Sequence, residues 1–112
     1  MRKSKNVKLK KKKLQKKGSV KLMLQILLTN QNTVVRDFAK ICIEKDSQMS
    51  IRLYAQEFLE IDAFPFVFEL DCRGNPNTLS IWKYGQRQRQ ISDINAQTLY
   101  DIIQIELKPY YK

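Results

Sequence analysis

From residue 20 onward, apolar and polar positions alternate in blocks that predict a small α/β domain. The most apolar block is Phe64-Pro65-Phe66-Val67-Phe68-Glu69-Leu70, with one charged residue in seven. A short apolar run bounded by turn residues predicts a strand buried on both faces. Proline lacks an N–H donor, so Pro65 is expected at the strand's first position. A turn spans Asp71 to Asn77, and a second β-rich run follows from Thr78 to Tyr84. Together they predict a β-hairpin with a long loop.

Upstream, Lys21 to Thr29 is mostly apolar and predicts the first strand of the domain. Asn30 to Thr33 breaks it, and Asn32 or Thr33 suits a helix N-cap. Val35, Phe38, Ala39 and Cys42 then recur at i, i+3, i+4 and i+7, the apolar stripe of a helix. That helix is expected to end near Lys45-Asp46. Between Met49 and Ile61 the pattern fits two periods. Met49, Ile51, Leu53 and Ala55 alternate as in a strand, whereas Ile51, Tyr54, Ala55 and Phe58 form a helical stripe. The favoured assignment is a strand from about Met49 to Tyr54, then a helical or irregular connector to Ala63. Residues 85–90 are expected as a polar, basic loop. Asn95 is a second N-cap, and Leu99, Ile102, Ile103 and Leu107 line a terminal helix that Pro109 stops.

The resulting order is strand, helix, strand, strand, strand, helix. A right-handed crossover would make the first two strands parallel, and the hairpin would add two antiparallel ones. The expected fold is therefore thioredoxin-like, a mixed four-stranded sheet covered by two helices, over residues 20–112.

Charge sets residues 1–19 apart. The chain holds 21 Lys and Arg against 11 Asp and Glu. Ten of the basic residues fall before residue 20, with no acid among them, and the remainder of the chain is balanced. A basic arm on a neutral domain points to a polyanionic partner, RNA or DNA before an anionic membrane surface. No apolar run approaches a membrane span. The arm lacks the apolar core of a secretory signal and is Lys-rich where a mitochondrial presequence is Arg- and Ser-rich. It is expected to be retained from Met1.

Candidate chemistry is sparse. The two cysteines, Cys42 and Cys72, stand 30 residues apart in a chain without histidine, so neither a metal-ligand spacing nor a Cys-x-x-Cys pair exists. A thioredoxin-type thiolate belongs at the start of the first helix, where the chain has Thr29 to Thr33 without sulfur. No glycine-rich phosphate loop and no paired acid and base can be assembled. The expectation is a protein that is not an enzyme, with no cofactor, no metal and no small-molecule substrate. Cys42 is expected as a core-facing residue.

The stretches Lys17 to Met23, Val35-Arg36-Asp37-Phe38, Pro65-Phe66, Leu70-Asp71 and Gly74 resemble a family of thioredoxin-like mitochondrial proteins. It comprises a small-subunit mitoribosomal protein, a large-subunit mitoribosomal protein and an accessory subunit of respiratory complex I. The resemblance covers roughly residues 17–108. It implies a non-catalytic component of the mitochondrial ribosome in the matrix, expected in the small subunit, with the large-subunit and complex I members as alternatives. Its implied partners are ribosomal RNA and neighbouring mitoribosomal proteins, with no membrane contact. Lysine supplies point charge and flexible donors, which suit phosphate better than base edges. The expected RNA-binding residues are Arg2, Lys3, Lys5, Lys8, Lys10, Lys11, Lys12, Lys13, Lys16 and Lys17 in the arm, with Arg87 and Arg89 in the domain. Arg73 and Lys83 are expected to join the latter two in a second patch. Trp82 is expected in the core, and Tyr110-Tyr111 as a docking pair.

Overall fold

The computed structural model describes residues 20–74 and 77–110. Helix α1 covers residues 20–27, where a strand was expected. Val20, Leu24 and Leu27 are buried while Leu22 and Ile26 are exposed. That i, i+4, i+7 spacing is a helical stripe, hidden in sequence by apolar residues on the outer face as well.

Helix α2, Thr33–Glu44, follows the expected pattern. Asn32 caps it, accepting a hydrogen bond from the Val35 N–H, and Val35, Phe38, Ala39 and Cys42 face inward. Five strands follow: β1, Ser50–Tyr54; β2, Phe58–Ala63; β3, Phe66–Asp71; β4, Thr78–Lys83; and β5, Gln86–Ser92. Helix α3, Ala96–Leu107, closes the order, capped by Asn95 accepting from the Thr98 N–H.

The sheet is a meander in the order β1-β2-β3-β4-β5, antiparallel at every pair. This corrects the thioredoxin-like expectation on three points. The first expected strand is a helix, so among the described residues no strand–helix–strand crossover exists to set a parallel pair. The expected connector before Ala63 is strand β2, whose Leu59 and Ile61 are buried. The expected loop at 85–90 belongs to the Tyr84-Gly85 turn and strand β5. The β3–β4 hairpin itself lies where the sequence placed it, with Phe66 opposite Lys83 and Asp71 opposite Thr78.

One face of the sheet meets the helices. Ile51, Leu59, Ile61, Phe66, Phe68, Leu70, Leu79 and Ile81 join the inward residues of all three helices in one buried cluster. Phe38 and Leu99 are fully buried there, and Phe66 stacks on Phe68 at 5.7 Å. The other face carries the rows Ser50-Asp62-Val67-Trp82-Arg87 and Arg52-Glu60-Glu69-Ser80-Gln90. Trp82 therefore lies half-buried on the side away from the helices, not in the core. Alternate residues of a strand point to opposite faces, and the register fixes which.

Candidate nucleic-acid interface

Charge on the sheet is sorted by strand. Strands β2 and β3 hold Glu60, Asp62, Glu69 and Asp71, whereas β4 and β5 hold Lys83, Arg87 and Arg89 and no acid. On the acidic side, Arg52 pairs with Asp62 at 3.4 Å and Arg73 with Asp71 at 2.9 Å. The Arg73 hydrogen bonds hold the Asp71 carboxyl below its ordinary range. Glu60 is pushed up, first by partial burial and then by the neighbouring Asp62 carboxyl. A phosphate chain meets repulsion there and attraction at β4–β5.

The arm residues Arg2 to Lys17 lie outside the described residues. Arg87 and Arg89 lie on β5, fully on the surface, but not side by side. The ladder pairs Arg87 with Trp82 and Arg89 with Ile81, with an irregularity between them that leaves Gln88 extra. Such a bulge places two residues against one and breaks the simple alternation. Arg87 thus sits in the open-face row and Arg89 in the helix-side row. Arg73 stands at the opposite end of the sheet from Lys83, its guanidinium 4.6 Å from the Phe58 ring. The expected second patch is therefore divided: only Lys83 and Arg87 share an end, and they lie on opposite faces, Lys83 beside Phe66 in the helix-side row and Arg87 beside Trp82 in the open-face row.

That shared end carries two aromatic side chains that the sequence pattern places within strands, Phe64 in the buried run and Tyr84 in the second β-rich run. The turn between β2 and β3 is Phe64-Pro65, whose peptide bond is cis. Pro65 is buried in this turn, before β3 begins, and Phe64 is left outside with 76% of its surface exposed. The turn between β4 and β5 is Tyr84-Gly85, with φ of 50° and 78°. Two positive φ values in a two-residue hairpin loop mark a type I′ turn, which favours Asn-Gly. Tyrosine in that conformation costs on the order of 1–3 kcal/mol, and Tyr84 is 67% exposed.

The two turns are tied together. The Tyr84 N–H donates to the Pro65 carbonyl at 3.0 Å, and the Phe64 and Tyr84 rings meet edge to face at 5.6 Å. Behind them, the Lys83 ammonium lies 5.6 Å from the Phe66 ring centre and 5.3 Å from that of Tyr110. Its pKa is raised, chiefly by the Tyr110 side chain, so it stays cationic. The signal available in sequence was the Tyr-Gly dipeptide before Gln86-Arg87-Gln88-Arg89, a turn followed by a polar edge strand.

The polar cleft at the other end is lined by Asn30, Gln31, Asn32, Gln56 and Cys72 and encloses about 590 Å³. Its amides are largely engaged with one another: Asn30 Nδ2 donates to Gln56 Oε1 at 3.1 Å. Burial pushes the Cys72 thiol up to about 11 and the Cys42 thiol up to about 12. Both remain protonated at neutral pH and are poor nucleophiles.

Comparison with protein-family models, with curated proteins and with solved structures finds no match to this chain.

Proposed function

We propose that the chain is a non-enzymatic RNA-binding protein, a structural component anchored by its basic arm. The observation that carries this reading is the placement of charge: ten cations before residue 20, no acid among them, and a balanced remainder. The sorting of charge within the sheet supports it, because β4 and β5 extend a basic surface away from the carboxylates of β2 and β3. The resemblance to the mitochondrial family implies a thioredoxin-like fold, and the sheet is instead an antiparallel meander; the basic arm is independent of that fold. The proposal is therefore an RNA-binding structural protein, not a particular subunit of a ribosome or of complex I.

The test compares full-length protein with a variant lacking residues 1–17, on structured RNA across a salt series. Each phosphate neutralised releases counterions, giving a log–log slope of roughly −0.7 to −0.9 per contact. The full chain is expected to bind with a steep slope, and the truncated domain to bind weakly with a shallow one. Equal binding by both at every salt concentration overturns the proposal.

A further inference from the structure

We infer that the tip formed by Phe64, Tyr84 and Lys83 is a stacking site for unpaired RNA bases. The inference rests on the RNA-binding reading and gives the domain a task separate from that of the arm. The arm offers charge alone, which recognises any phosphate chain. The tip offers two exposed rings, held as a pair by their edge-to-face contact and by the backbone bond between their turns. Every base has a π-face, so aromatic platforms beside cations bind single strands with little regard to sequence. A-form duplexes keep their bases stacked inside and offer no free face to such rings.

Three features favour this occupant. Tyr84 holds a position where its backbone conformation favours asparagine or glycine, so the turn tolerates a ring its own geometry does not call for. Lys83 precedes the turn in the helix-side row, its ammonium against the Phe66 and Tyr110 rings, and Arg87 follows the turn on the open face, so one cation stands on either side of the tip for the flanking phosphates. No acid interrupts β4 or β5. The strand path expected for the RNA runs from the Phe64–Tyr84 tip over Arg87 and away from Glu60 and Asp62.

The experiment uses full-length protein, a short oligouridylate carrying one 2-aminopurine, and an RNA duplex of the same length. The variants are Phe64→Leu and Tyr84→Asn, singly and together. Leucine keeps an apolar side chain at the β2–β3 turn, and asparagine suits the β4–β5 turn better than tyrosine does. Tyr84→Asn is therefore expected to raise the melting temperature while weakening the oligouridylate complex, which separates a binding role from a structural one. Each substitution is expected to weaken single-strand binding roughly 5- to 150-fold, the range of one base–aromatic stack. Duplex binding and the salt slope stay as in the wild type, and the quenching of 2-aminopurine seen with the wild type is lost. Deleting residues 1–17 weakens both RNAs and flattens the slope but leaves residual quenching at low salt. Unchanged oligouridylate binding by the double variant overturns the stacking site while the arm reading stands. Equal weakening of duplex and single strand also overturns it. If the wild type binds neither RNA, the RNA-binding reading falls and the stacking site with it.

Discussion

Asn32 and Asn77, 45 residues apart in the chain, exchange their side-chain amides. Asn32 Nδ2 donates to Asn77 Oδ1 at 3.2 Å, and Asn77 Nδ2 donates to Asn32 Oδ1 at 3.4 Å. The same Asn32 oxygen caps α2 by accepting from the Val35 N–H at 3.2 Å. A local helix cap is thereby joined to the loop between β3 and β4. Asn32→Ala should cost about 1–2 kcal/mol, at the upper end for a lost cap, because it also strips Asn77 of its partner. Asn77→Ala should cost about 0.5–1.5 kcal/mol. The two losses share a contact, so the double variant should lose less than their sum. Urea unfolding of the four proteins measures this; strict additivity would show that the pair is not coupled.

The aromatic core gives a larger expectation. Phe68 and Phe38 have no exposed surface, and each fills a position between sheet and helices. Truncation of either to alanine should cost about 3–5 kcal/mol through lost burial and the cavity left behind. Thermal melting checks it, and an unchanged midpoint for Phe68→Ala would contradict the assigned register.

Thiol titration makes stability depend on pH at the alkaline end. The Cys42 pKa is raised from 9.0 to about 12 by burial. The unfolded chain therefore loses this proton first, and stability falls as pH rises from about 9 toward about 12. The slope from this residue is at most about 1.4 kcal/mol per pH unit. Cys72 adds a loss in the same direction between 9.0 and about 11. Below pH 8 both thiols are protonated in the folded and unfolded chain, so stability is at its full value and neither adds a slope. Denaturant unfolding of wild type and Cys42→Ala at pH 8 and pH 10.5 should show a smaller alkaline loss in the variant, and equal losses would sink the assignment.

The bulge in β5 predicts that its two arginines act differently. Arg87→Ala removes a cation from the open face beside the aromatic tip and should flatten the single-strand salt slope by about 0.7. Arg89→Ala, in the helix-side row, should leave it nearly unchanged. Matching effects from both substitutions would mean that RNA lies along the strand edge instead.

Much of the domain was legible in the sequence where periodicity was clean. The α2 stripe, both asparagine caps, the β3–β4 hairpin and the phenylalanine core all follow from spacing and turn residues. Residues 21–28 were not, because Leu22 and Ile26 add apolar positions outside the helical stripe and blur the period. Strand β5 carries no alternation because an edge strand beyond the helical cover has little to bury; only Ile91 is half-buried along it. Strand β2 was obscured by the Ala55-Gln56 turn, where both residues have positive φ without a glycine or asparagine to announce it. One misassigned helix then changed the whole topology, since the parallel pair depended on a strand at that position. The aromatic tip was missed for a related reason: Phe64 and Tyr84 are strand-type residues by composition, and only the turn geometry turns them outward.

The order of elements also bears on how the chain folds as it is made. Every strand pairs with its sequence neighbour, so the sheet can grow by successive hairpin closures, a local process that favours rapid folding. Its apolar face has a different history. Two of the covering helices precede the sheet and the third follows it, and Phe38 of α2 meets Tyr100 of α3 at 6.4 Å. The cover is complete only when the last helix has been synthesised. A nascent chain that stalls before residue 96 would hold a finished meander whose core still lacks Ala96, Leu99 and Ile103, an incompletely covered apolar surface of the kind that chaperones engage and that aggregates.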